Sequence, residues 1–167
     1  HDDEFEDLLG DLALHRLDLV IADRPAPASR NIKLYSHALV QSSVSWWAAP
    51  ALSAAARDDF PRSRASVAVL LPTWRTAVRD RLDHWFDRQG VRPKVVGEFE
   101  DSALLTTFGG SGVGVFPAAD LISEEMSTRL HVESIGPCAG VEEQFFAITS
   151  EKKVEHPLLR RLTQPRA

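Results

Sequence analysis

Two short polar stretches hold the residues best equipped for chemistry. The first, Thr73-Trp74-Arg75-Thr76, opens a helix, and its hydroxyls, guanidinium and first-turn N–H groups favour an anion. The second, Glu98-Phe99-Glu100-Asp101, offers carboxylate oxygens of the kind a hard cation prefers, with Glu98, Glu100 and Asp101 as a possible cluster. A plainer account has Asp101 and Thr76 capping their helices and Arg75 paired with an acidic neighbour. Both accounts are open at the level of sequence.

Nothing else in the chain assembles a reaction. His15, His37, His84, His131 and His156 are dispersed, and neither G-x-S-x-G nor H-E-x-x-H occurs. The pairs Asp2-Asp3, Glu124-Glu125 and Glu142-Glu143 are most simply solvated surface. Cys138, the single cysteine, cannot close an internal disulfide and offers no zinc spacing, which fits a packing residue in a reducing cytoplasm. The expectation is no enzyme and no cofactor.

The elements that must position the two stretches read from apolar periodicity. Val95 to Pro117 reads as strand (Val95 to Phe99), helix (Ala103 to Phe108), Gly-Gly stop and second strand (Val113 to Phe116), a parallel βαβ crossover closed by Pro117. Such a unit puts loops and a helix N-terminus at the carboxyl edge of a sheet, where α/β folds bind ligands. Upstream, a helix from Thr73 to about Gln89 buries Val78, Leu82, Trp85 and Phe86 and stops at Gly90. Asp2 to Arg16 reads as a helix with Asp3 as cap, followed by Leu17 to Ile21 as a buried parallel strand. Ile32 to Trp47 is extended, Pro50 to Phe60 irregular or weakly helical, and Ser66 to Leu71 a buried strand stopped by Pro72. Further on come a helix over Ala118 to Met126 with an acidic end, a strand from Arg129 to Ile135, a turn at Gly136-Pro137, a strand from Glu143 to Thr149 and a terminal helix from His156.

The 167 residues, 44% apolar, suffice for one large domain or two lobes. No apolar run approaches the roughly 20 residues of a membrane span. With 24 acidic against 19 basic residues and the basic ones scattered, there is no footprint for nucleic acid.

The D-x-x-L-L helix followed by G-x-G-V-x-V-x-P resembles the effector-binding domain of LysR-type transcriptional regulators, and the likeness covers nearly the whole chain. Three stretches, LLGDLALHRLDLVIAD, the helix from Arg75 to Phe86 and GEFEDSALLTTFG, look like the sodium/proton-antiporter activators of that family. The resemblance implies an α/β, two-lobed fold like the type 2 periplasmic binding proteins. Residues 1-40 plus 147-167 would form lobe I, and residues 41-146 lobe II. Implied as well is an effector-sensing and oligomerisation role, with a small molecule or ion bound where the lobes meet. The matching positions are Asp23, Arg24, Ser42, Ser43, Thr73 to Thr76 and Glu98 to Asp101, Phe99 included. It further implies a cytoplasmic bacterial regulator that dimerises through the helix after Thr76 and the strand Val95 to Phe99. DNA would be bound only through an N-terminal domain not present in this chain, with no membrane partner.

The family's winged helix-turn-helix, its linker helix and the first β-α-β elements of the effector domain have no counterpart here. The expected fold is therefore one truncated at its N-terminus, with an open sheet edge at Leu19 to Ile21. A solute-binding protein of a transport system, sharing the fold, is the alternative, and a parent chain opening with a signal peptide would favour it.

The chain by itself should not bind duplex DNA specifically, because it is acidic and carries no recognition helix. In a mobility-shift assay with this chain we expect no sequence-dependent, salt-sensitive complex.

Overall fold

The computed structural model describes residues 3–29 and 31–150. In chain order its elements are α1 (Asp3–Ala13), β1 (Val20–Ala22), β2 (Tyr35–Ala48), α2 (Pro50–Arg57), β3 (Ala68–Pro72), α3 (Ala77–Gln89), β4 (Lys94–Phe99), α4 (Ser102–Gly110), β5 (Phe116–Ala119), α5 (Ser123–Arg129) and β6 (Glu133–Thr149). Short 3-10 turns cover Arg62–Ala65 and Asp120–Ile122. The chain divides into two compact units, one made of residues 1–41 with 144–167, the other of residues 42–143. Strands β2 and β6 each run through both units. No helix among the described residues is long and apolar enough to cross a membrane.

In the first unit, α1 turns Leu9 and Leu12 inward onto Val20 and Ile148. Leu8, beside them at helical spacing, is exposed. Asp3 is the first residue of α1 rather than the one before it. The buried parallel strand expected over Leu17 to Ile21 is instead the three-residue β1, and it is antiparallel to β6, with Val20 opposite Ile148. Only Val20 is fully buried, while Ile21 points to solvent. No residue of the run marks the wet face, since the exposed Ile21 is as apolar as the buried Val20. The terminal helix expected from His156 lies outside the described residues.

In the second unit, β3 and β4 pair in parallel, and Val115 bridges β3 in parallel on its other side. The two strands of the expected βαβ crossover are therefore not neighbours, because β3 lies between them. Val69, Leu70 and Leu71 are wholly buried and fill the centre of this sheet, whereas Val95 and Val96 of β4 are exposed at its edge. Pro117 does not close the second run. It sits inside β5, which pairs antiparallel with β2, Trp46 opposite Pro117 and Trp47 opposite Phe116.

Helix α3 matches its sequence reading on the apolar face, with Val78, Leu82, Trp85 and Phe86 buried, and it ends at Gly90 with φ 64°. It starts four residues later than expected, at Ala77. Pro50 to Phe60, expected to be irregular or weakly helical, contains a regular helix, because Pro50 pre-sets the first turn and the alanines that follow cost little to order. Ala118 and Ala119 belong to β5, and the helix expected there is α5, whose Glu124 and Glu125 lie in its first turn where the helix dipole favours them. The two strands and the turn expected from Arg129 to Thr149 are one strand of 17 residues, β6, running through Gly136 and Pro137.

The stop at Gly109-Gly110 is a packing requirement rather than an end. Both residues are still helical, and a Cβ on Gly109 would fall 2.0 Å from Cδ1 of the buried Phe116 ring. Gly109→Ala should therefore destabilise the protein by about 2 kcal/mol or more, since neither ring nor helix has room to yield. Gly10→Ala, in α1 with nothing within 4 Å of the new methyl, should be neutral or stabilising by up to about 1 kcal/mol. Urea melts of the two variants check the contrast, and equal effects would contradict it.

Candidate functional site

Strand β3 is apolar until Pro72, whose missing N–H ends its ladder, and the parallel register sets Pro72 opposite Phe99 at the end of β4. One more bond, from Thr73 N–H to the Phe99 carbonyl at 2.9 Å, draws the two strand ends together. The polar stretches 73–76 and 98–101 thus meet at the carboxyl edge of this parallel pair. A tight turn follows, in which Thr76 gives both its N–H and its hydroxyl to the Thr73 carbonyl, at 3.2 and 3.0 Å. Thr76 occupies the position before α3 in extended conformation, but its side chain does not cap the helix.

Arg79, in the first full turn of α3, fastens this corner. One Nη1 donates to the Pro72 carbonyl and to Glu98 Oε1, both at 2.8 Å, and Nε donates to Asp83 at 3.0 and 3.1 Å. Burial pulls the Arg79 pKa down, and the Asp83 and Glu98 carboxylates more than offset it, so the net shift is upward. Arg75 lies further out, 3.3 Å from Glu100 Oε1 and over the exposed ring of Trp74. Asp101 caps α4, accepting from Ala103 N–H at 2.7 Å and Leu104 N–H at 3.2 Å. One polar group at the corner has no such use: Thr73 Oγ1 is shut off from solvent and has no hydrogen-bond partner.

The structure therefore brings together Thr73, Arg75, Thr76, Glu98, Phe99, Glu100 and Asp101. It does not gather the three carboxylates around a point, because Glu98 goes to Arg79, Glu100 to Arg75 and Asp101 to its helix. Among the described residues no group of three or more His, Cys, Asp or Glu side chains could hold a metal ion. Ser42 and Ser43 sit elsewhere in the same unit: Ser43 Oγ donates to Asp120 at 2.6 Å, and Ser42 Oγ accepts from Leu121 N–H at 2.9 Å. Asp23 and Arg24 belong to the other unit, ion-paired at 3.1 Å with Arg24 over the Phe5 ring.

Sequence reasoning missed Arg79 and Asp120. Arg79 carried a signal in its Asp83 partner four residues on. Asp120 carried none, since its serine lies 77 residues away.

A family model described as LysR substrate binding domain matches residues 1–164. The transcriptional activator protein NhaR of Escherichia coli (strain K12) is 30% identical over 157 residues, 94% of this chain and 51% of that protein, and NhaR of Shigella flexneri matches with the same figures. The chain thus spans about half the length of these curated relatives. Among solved structures, the cofactor-binding domain of the Cbl transcriptional regulator superposes with a TM-score of 0.68 at 15% identity, over 95% of this chain and 69% of that one. The reduced regulatory domain of OxyR2 from Vibrio vulnificus gives 0.66 at 13% identity, over 95% and 74%. The effector-binding domain of QuiR in complex with shikimate gives 0.61 at 12% identity, over 94% and 73%. These likenesses establish the α/β fold of such domains for this chain.

The two arginines of the corner should differ sharply in worth. Arg79→Ala strips a largely buried carbonyl and a carboxylate of their donor and should cost about 1–3 kcal/mol. Arg75→Ala removes an exposed pair and should cost no more than about 1 kcal/mol. Chemical denaturation of both variants measures the difference, and an equal or reversed order would show that Arg79 does not fasten the corner.

Proposed function

The chain belongs to the LysR substrate-binding-domain family, and on that premise we propose that it is the effector-sensing domain of a cytoplasmic transcriptional activator that controls a sodium/proton antiporter gene. The observation that carries this reading is the match to the NhaR activators along 94% of the chain. The three stretches quoted above, which look like antiporter activators, point the same way. DNA binding and transcriptional output belong to the rest of the protein, which acts as a homo-oligomer. Val95 and Val96 of β4, both exposed, support a subunit contact there. The domain does no chemistry of its own.

Its effector binds at the carboxyl ends of β3 and β4. A small anion or a carboxylate-bearing molecule is favoured, because the Thr73 hydroxyl has a donor to give and Arg75 can leave its exposed partner Glu100 at little cost. Sodium acts weakly, since at Glu98, Glu100 and Asp101 it must displace Arg79, Arg75 and a helix cap in turn.

The test is calorimetry on the full-length protein. It is titrated with a series of potassium carboxylates from acetate to citrate, and with sodium chloride against potassium chloride at fixed ionic strength. Arg75→Ala should weaken the tightest carboxylate about tenfold or more. Unchanged affinity removes the anion assignment, and a sodium response that survives Glu98→Gln and Asp101→Asn removes the cation assignment. A promoter reporter for the antiporter gene that ignores both ligands would overturn the regulatory target.

A further inference from the structure

Helix α3 touches everything the proposed response would have to connect. Its 13 residues span about 20 Å. At one end, Arg79 binds it to the carboxyl ends of β3 and β4. Along its inner face, Val78, Leu82, Trp85 and Phe86 share a core with Val44, Trp46 and Ala48 of β2 and with Ile135, Cys138 and Val141 of β6. The rings interlock there, Trp46 lying 5.7 Å from Trp85 and 5.5 Å from Phe86. These are the two described strands that run on from the second unit into the first.

Two polar ties complete the attachment. Arg81 Nη1 donates to the Glu142 carbonyl, and Arg88 Nη2 donates to the Ala139 carbonyl at 3.4 Å. Glu142 lies next to Glu143, the last residue of the second unit. The distinction between the two kinds of contact matters. Dispersion and apolar burial tolerate small slides, whereas a hydrogen bond is lost within a few tenths of an ångström. The apolar seam therefore holds β6 against α3, and Arg81, with Arg88 at the limit of bonding distance, fixes where along α3 it rests.

We propose that α3 relays occupancy of the corner at β3 and β4 to the crossing strand β6, with Arg81 and Arg88 as the positioning residues that carry the displacement. This rests on the ligand reading given above and names how that site is read out. A ligand that draws Arg75 or Arg79 away from its present partners shifts the first turn of α3. The helix moves as a rod, and the tied carbonyls of Ala139 and Glu142 move with it.

The relay is testable without any ligand, by amide hydrogen exchange on the full-length protein, so its failure and that of the effector assignment are distinguishable. Arg79→Ala frees the first turn of α3 from both strand ends. Exchange in residues 139–143 should quicken at least about threefold, while β5, which α3 does not tie, keeps its rate. In a protein already carrying Arg81→Ala and Arg88→Ala, adding Arg79→Ala should change residues 139–143 no further. Glu98→Gln, which releases the same guanidinium from β4 alone, repeats the measurement in milder form should Arg79→Ala fold poorly. Additive effects, equal quickening in β5 or an unmoved 139–143 segment would each overturn the proposal.

Discussion

A buried positive charge without a carboxylate sets the terms for the second unit. Arg64 is completely enclosed, and burial drags its pKa down to about 10, so at neutral pH it still carries its proton in an apolar core. An isolated buried ion is costly, and the structure answers with three partial compensations. Nη2 donates to the Ala56 carbonyl at 2.6 Å, close to the C-terminal and therefore negative end of α2. The guanidinium also lies 5.6 Å from the Trp46 ring and 5.3 Å from the Phe60 ring, and a desolvated cation over an aromatic face gains about 2 kcal/mol. Ser63 Oγ accepts from Nη2 at 3.2 Å and donates to the same Ala56 carbonyl at 2.7 Å. Each of these partners then constrains a further element. Trp46 fixes β2, and Trp85, 6.2 Å from Phe60, fixes α3. Gly136 fixes β6, since a Cβ there would stand 2.9 Å from the Phe60 ring.

The corner at β3 and β4 inherits its position from that core. Strand β3 is buried on both faces, so its end cannot drift, and whatever follows Pro72 must emerge at one place. The same logic separates the two arginines found there. Arg79, with its side chain 15% exposed, serves two strand ends at once and belongs to the scaffold. Arg75, 55% exposed and opposite the still more exposed Glu100, lies at the surface of the corner.

What the sequence disclosed followed from how local each signal was. The buried face of α3 and its glycine stop rest on contacts within four residues and were legible, whereas the Asp101 cap, just as local, was one of two readings left open. The corner was legible too, because it depends on two strand ends and a helix start, each marked by its own residues. Strand pairing was not. Nothing in Leu17 to Ile21 says that its neighbour is β6, and nothing in Val95 to Phe116 says that β3 passes between the two runs. Gly136-Pro137 looked like a turn because those residues usually make one, yet here glycine is needed for its missing Cβ against Phe60. The Ser43 and Asp120 contact joins residues 77 apart, beyond any periodicity.

The strengths of these contacts also separate what holds from what can move. Each large side chain in the seam between α3 and the crossing strands is worth several kcal/mol on truncation, so no modest ligand can open it. An arginine tie to a carbonyl near solvent is worth about 1 kcal/mol, and the exposed Arg75 pair no more. To turn a two-state equilibrium from one part in a hundred to its reverse, a ligand must prefer one state by about 5.5 kcal/mol. That is more than a few polar ties contribute and less than dismantling the seam would require. A response built on α3 must therefore keep the apolar packing whole and exchange polar partners around it. The fold distributes its contacts accordingly, with aromatic rings on the inner face of the helix and arginines flanking it on either side.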